Sequence, residues 1–168
     1  ALGLVEGMHV LDCTLGTGAD AIVESFAVGE QGAVTALESN PLIAAVIADG
    51  LAHATGDNYE MHAAMRRIVV HHADALTFLR AAETDSCDVI YFDPMFRRPL
   101  HESAGMNALR ALADMRALTE ETIAEARRVA RCRVVMKERR GSAEFDRLGF
   151  THVMGGKYSR IAYGVMKL

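Results

Sequence analysis

Tryptophan is absent from the chain, aromatic residues make up 6% of it, and 3 prolines and 3 cysteines occur in 168 residues. The core must therefore be built from Ala, Val, Leu, Ile and Met, and a hydrophobic share of 51% supplies enough of them. Cys13, Cys87 and Cys132 form no CxxC pair and no Cys/His ligand spacing, which speaks against a structural zinc. Each cysteine lies in or beside an apolar run and reads as a small core residue. His71 and His72 read as strand-end residues, and no metal is expected. There is no signal-peptide pattern and no apolar run long enough to span a bilayer, so a reducing cytoplasmic setting without a membrane partner is expected. The net charge of −4 excludes a global basic field, so any contact with nucleic acid needs a local patch. The chain opens on Ala1 and reaches a strand-like segment within its first residues, so residues 1–168 read as a single domain of a longer protein.

What is present is an alternation of short apolar runs with longer helical periods, the pattern of βαβ units around a mainly parallel sheet. Strands are predicted at Met8–Asp12, Ala33–Leu37, Arg67–His71, Cys87–Phe92 and Arg133–Lys137. Helices are predicted at Ala19–Ala27, from Asn40-Pro41 to about His53, from Asp74 through Arg80, at Thr119–Ala130 and at Ser142–Leu148. Thr55–Glu60 reads as a polar loop, and Ser103–Leu118 is ambiguous. Phe150–Met154 and Ile161–Met166, separated by Gly155-Gly156-Lys157-Tyr158, suit an antiparallel hairpin. The fold class is α/β: a doubly wound, Rossmann-like sheet closed by a C-terminal hairpin.

Four places carry candidate chemistry. The run from Asp12 to Ala21 joins a strand to a helix, and Gly16 and Gly18 let the backbone turn and a ligand approach the helix N-terminus. Gly16, Gly18 and Ala21 also satisfy the dinucleotide fingerprint, whereas Asp12 would attract an ammonium and repel a pyrophosphate. Glu38, ending the second strand, can accept both hydroxyls of a ribose, which holds for any adenosine ligand. Asp74 can accept from an adenine amine or simply cap the next helix. Asp93-Pro94-Met95-Phe96 emerges from the end of a buried strand, where open α/β sheets place their ligand crevice.

This last segment resembles the D-P-P-[YF] motif of amino-directed nucleic-acid methyltransferases. An exocyclic base amine is a poor nucleophile, and acceptors such as the Asp93 carboxylate and the Pro94 carbonyl can orient its lone pair while Phe96 stacks on the base. Arg97-Arg98 could bind phosphates or be a solvated loop, and with Arg139-Arg140 they would make a basic rim at one sheet edge. Together, Asp12 to Ala21, Glu38-Ser39-Asn40-Pro41, Asp49-Gly50-Leu51 and Asp93-Pro94-Met95-Phe96 are similar to the small-subunit rRNA guanine-N2 methyltransferase J family, from about Val10 to Tyr163. The resemblance implies a class I methyltransferase fold, S-adenosylmethionine as cofactor, and RNA of the small ribosomal subunit as partner. It puts cofactor contacts at Ala19, Asp20, Glu38, Ser39, Asp74, Ala75 and Asp93. Departures from the family pattern are Ala19 and Ser39 in place of arginines, Asp74-Ala75 in place of hydroxyl residues, Arg97-Arg98 in place of a Pro-His pair, and a missing N-terminal extension. Methylation of a protein or small-molecule amine, an NAD-dependent oxidoreductase and a nonenzymatic binding module are the competing readings. The oligomeric state is left open.

Overall fold

The computed structural model describes residues 1–94 and 114–168; Phe96, Arg97, Arg98 and most of the 103–118 segment lie outside the described residues. Seven strands, β1 (His9–Asp12), β2 (Ala33–Glu38), β3 (Ile68–His72), β4 (Cys87–Phe92), β5 (Ala130–Arg139), β6 (His152–Met154) and β7 (Ile161–Lys167), form one sheet in the order β3-β2-β1-β4-β5-β7-β6. The first five run parallel. β7 runs antiparallel to both β5 and β6, giving the expected mainly parallel sheet with a terminal hairpin. The described helices are α1 (Ala19–Val28), α2 (Pro41–His53), α3 (Tyr59–Arg66), α4 (Ala75–Ala81), α5 (Glu120–Val129) and α6 (Glu144–Arg147).

Side chains alternate across a strand, and here both faces are covered, so the central strands are apolar throughout. Ile90, Phe92, Val134 and Met136 pack on one face with Leu79 of α4, Ile123 and Ala126 of α5 and Phe145 of α6. Val89, Tyr91 and Val135 point to the other face, with Ala21 and Val28 of α1 and Leu51 of α2. Among the described residues no helix is long and apolar enough to cross a membrane.

Element boundaries differ from the periodicity where a distant partner decides. β5 runs to Arg139 because Glu138 and Arg139 pair with Ala162 and Ile161 of β7. It starts directly after α5, at Ala130, with no loop between. The last helix and β6 are both shorter than predicted: the Phe150 amide bonds the Phe145 carbonyl at 2.8 Å, and the two rings meet edge-on, so Phe150 belongs to the helix stop. The loop after α2 is followed by α3, a short helix with a narrow apolar face from which Met65 packs on the core. Asn58 caps it by accepting from the Met61 amide, and its buried residues His62 and Ala64 face inward.

Candidate active site

The chain passes outward from β1 through β2 to β3 and then returns to β4 on the other side of β1. This is a topological switch point, and the carboxyl ends of β1 and β4 diverge there to leave a crevice. The loop after β1 is stitched to both neighbours: the Cys13 amide bonds the Tyr91 carbonyl and the Leu15 amide bonds the Leu37 carbonyl, each at 2.9 Å. Gly16 (φ 52°) and Gly18 (φ 77°) take the left-handed turn that this path requires. Gly18 starts α1 without a side-chain cap, so the first amides of α1 have no side-chain acceptor at the N-cap.

A cavity of about 280 Å³ opens at this point, lined by Thr14, Gly16, Leu37, Glu38, Ser39, Asp74, Ala75, Leu76, Asp93 and Pro94, with the 114–119 segment and Thr122. The glycine turn and the carboxylate after β4 thus line one crevice. Glu38, 8% exposed, accepts from the Asn40 amide at 2.9 Å and the Gly16 amide at 3.3 Å, one to each oxygen. Those two bonds fix the carboxylate, and each oxygen keeps a lone pair for a further donor. Asp74 does cap α4: one oxygen accepts from the Thr77 amide at 3.0 Å, and the other takes Arg116 at 2.8 Å. The Thr77 amide is the main reason the Asp74 carboxyl sits below its ordinary range. Among the described residues the ionisable groups in these walls are Glu38, Asp74, Asp93 and Asp114, with the guanidinium of Arg116. Such a lining repels a pyrophosphate and suits an adenosine ligand that carries positive charge and no phosphate.

Behind the cavity, Lys137 on β5 bridges two carboxylates, Asp20 of α1 at 2.7 Å and Asp93 at 2.8 Å. The Tyr91 hydroxyl donates to the same Asp20 oxygen at 2.8 Å, and the Asp93 amide donates to the Thr14 hydroxyl at 2.6 Å. Burial works against the Lys137 ammonium, but the two carboxylates outweigh it and hold the amine above its ordinary value. For Asp93 burial is the larger effect: it pushes the carboxyl up to about 6, against the pull of Lys137 and with the added repulsion of Asp20. Asp20, less buried, is held below its ordinary value by Lys137 and Tyr91 despite desolvation.

Deeper still lie two acids without ion-pair partners among the described residues. Asp12 is 1% exposed and accepts from the Thr14 amide through one oxygen, while its other oxygen has no partner among the described residues. Burial pushes its carboxyl up to about 7. Among the described residues neither carboxylate oxygen of Glu24 on α1 has a partner, and burial, with the charges of Asp12 and Asp20, pushes this carboxyl up to about 9. The folded state therefore holds a Glu24 proton that the unfolded chain releases above about pH 4.3. Stability falls as pH rises from there towards 9. Glu24→Gln is expected to melt roughly 10 °C or more above the unsubstituted chain at pH 9 and together with it at pH 4, by calorimetry. Equal melting temperatures at both pH values would show that Glu24 is ionised in the fold.

Of the residues singled out in the sequence, Gly16, Glu38, Ser39, Asp74, Ala75, Asp93 and Pro94 meet in the cavity walls. Asp12 lies buried beneath the loop, Gly18 and Ala19 open α1, and Asp20 faces Lys137, all outside those walls. The sequence offers no motif for Lys137 or for the bond that the Thr14 hydroxyl accepts from the Asp93 amide. The only local signal for Lys137 is an ammonium closing the apolar run Val134-Val135-Met136, at the edge where ligands bind. A second cavity of about 250 Å³ shares Pro94, Arg116, Ala117 and Leu118 with the first and reaches Met136, Glu138 and Arg139.

Residues 1–163 match the family model for SAM-dependent methyltransferases. The uncharacterized protein YpiP of Bacillus subtilis is 44% identical over 167 residues, covering 99% of this chain and 65% of its own length. The ribosomal RNA small subunit methyltransferase J of Dechloromonas aromatica is 33% identical over 168 residues, covering 95% of this chain and 66% of its own length. The chain thus spans about two thirds of these relatives. A SAM-dependent methyltransferase structure from Neisseria gonorrhoeae superposes with a TM-score of 0.67 at 24% identity, over 96% of this chain and 62% of that one. A SAM-dependent O-methyltransferase from Thermotoga maritima gives 0.66 at 13% identity, over 99% and 61%. These two likenesses speak for the fold. Taken with the match along nearly the whole sequence, the acid-lined crevice at the switch point has its explanation: this chain belongs to the family of SAM-dependent methyltransferases.

Proposed function

We propose that the chain transfers a methyl group from S-adenosylmethionine to an exocyclic amine of an RNA base, guanine N2 of small-subunit ribosomal RNA. The observation that carries this reading is the acid-lined cavity that ends at Asp93-Pro94 and meets a second cavity there. One cavity suits a cationic adenosine ligand, and the other leaves room for the acceptor. The name of the Dechloromonas aromatica relative supports ribosomal RNA as the acceptor's source. A cytoplasmic setting follows from that substrate.

S-adenosylmethionine, when bound, supplies a methyl group on a sulfonium that leaves as a neutral thioether. The protein's part is alignment, with no covalent intermediate on the chain. Glu38 would hold the ribose hydroxyls, Ser39, Asp74 and Ala75 would border the adenine, and the first turn of α1 at Ala19 and Asp20, beyond the cavity walls, would face the amino-acid end. Asp93, oriented by Lys137 and Thr14, accepts the amine hydrogens together with the Pro94 carbonyl and takes the proton lost by the amine. Phe96 stacks on the base and Arg97 and Arg98 meet phosphates, roles that rest on their place in the chain after Pro94.

Two measurements test this. Calorimetry with S-adenosylhomocysteine and with NADH is expected to show binding of the first alone; binding of NADH alone would overturn the reading. Tritiated methyl groups are expected in the RNA of small ribosomal subunits, as N2-methylguanosine after nucleoside digestion. Label in protein alone would move the activity to a protein amine.

A further inference from the structure

The hairpin that closes the sheet carries charge that the proposed reaction leaves unused. Arg139 ends β5 opposite Ile161 at the start of β7, and Met154 ends β6 opposite Tyr163. Because β5 runs parallel to β4, the tip at 155–160 stands at the same sheet edge as Asp93. Arg139, Arg140, Lys157 and Arg160 gather there, and among the described residues none of the four is in an ion pair. The nearby Glu138 carboxylate is turned to its own backbone, accepting from the Arg139 amide at 2.6 Å.

The tip is held in place by its own bonds. The Arg140 guanidinium donates to the Gly156 carbonyl, and the Arg140 amide bonds the Arg160 carbonyl at 2.9 Å. The Ser159 hydroxyl accepts from the Ile161 amide at 3.0 Å. Tyr158 is 89% exposed, with the Lys157 ammonium 5.4 Å from its ring centre. Arg139 also lines the second cavity beside Pro94, so the row of cations begins at the proposed acceptor site. Four cations that form no ion pair among the described residues repel one another, and on a chain of net charge −4 a polyanion is their complement. An exposed aromatic among them adds a stacking face of the kind single-stranded RNA uses.

We propose that the β6–β7 tip is an RNA-docking arm, in which Arg139, Arg140, Lys157 and Arg160 contact phosphates and Tyr158 stacks on an unpaired base beside the target nucleotide. This rests on the reading that RNA is the substrate. The test is fluorescence anisotropy of a labelled single-stranded oligoribonucleotide of mixed sequence, titrated with the full chain saturated with S-adenosylhomocysteine, across a salt series. The double variant K157Q/R160Q is expected to bind about 10-fold more weakly and to lower the slope of log K against log salt by about 1.4, for two lost single-strand phosphate contacts. Tyr158→Ala is expected to weaken binding about 10-fold with the slope unchanged, and Tyr158→Phe to restore it. The control R66Q/K167Q removes the same charge from exposed residues at the opposite sheet edge and is expected to change neither. Hairpin variants that bind and methylate RNA like the unsubstituted chain, or a control that weakens binding equally, would overturn the arm and leave the methyltransferase reading standing. A chain that takes S-adenosylhomocysteine but neither binds nor methylates RNA would sink both together.

Discussion

Asp93→Ala is expected to lower turnover by about 10²–10⁴-fold while S-adenosylhomocysteine still binds, because the lost group is the proposed acceptor of the amine hydrogens. The cofactor's adenosine end is assigned to Glu38, at the end of a different strand, whose own anchors, the Gly16 and Asn40 amides, do not involve Asp93. The pH dependence carries the same signature. The working form is the carboxylate, and burial places its titration near 6. Activity is therefore expected to fall as pH drops through about 6 and to level off above it. Turnover unchanged in Asp93→Ala, or an acid limb near the ordinary carboxylate value, would remove Asp93 from the reaction.

The second large effect belongs to Lys137. In Lys137→Met, burial and the charge of Asp20 act on Asp93 without opposition, so its carboxyl titrates higher than in the unsubstituted chain. The acid limb of the rate profile is expected to move up by about one pH unit, which costs roughly twofold at pH 7, close to tenfold at pH 5, and is recovered at alkaline pH. Lys137→Arg keeps the charge and is expected to return the limb towards 6. A loss equal at every pH would reduce Lys137 to a structural strut, and thermal melts of both variants separate that outcome from unfolding. The opposite directions at Asp93 and Asp20 come from burial and partners together: desolvation raises both, Asp93 is the more buried, and Asp20 takes the Tyr91 hydroxyl as well as the shared ammonium.

Local pattern was enough for much of the site. An apolar run ending in an acid announces a buried strand with its functional end exposed, which is how Asp93, Glu38 and the glycine turn could be found as separate points. Asn40-Pro41 and Asp74 marked helix starts because capping is a contact between near neighbours, and both caps form as the sequence reads. The motif similarity extended this to the cofactor class, since it fixes residue types at a spacing that periodicity alone leaves open.

The rest depended on contacts between positions far apart in the chain. Lys137 meets Asp20 across 117 positions and Asp93 across 44, and no window of sequence contains either pair. The Tyr91 hydroxyl reaches Asp20 across 71 positions, a contact that the apolar pattern of its strand does not announce. Helix α3 has only a weak apolar face and forms because Asn58 caps it and Ser25 of α1 bonds the Ala64 carbonyl at 2.7 Å. The sequence by itself determined the strands, the acids that end them and the cap residues, because those follow from the 2.0 and 3.6 periods and from bonds within a few residues. Only the tertiary structure decided which acids share a proton-holding interior, which one is paired with an ammonium, and which cations stand beside Asp93, because burial and long-range pairing exist only once the sheet has assembled.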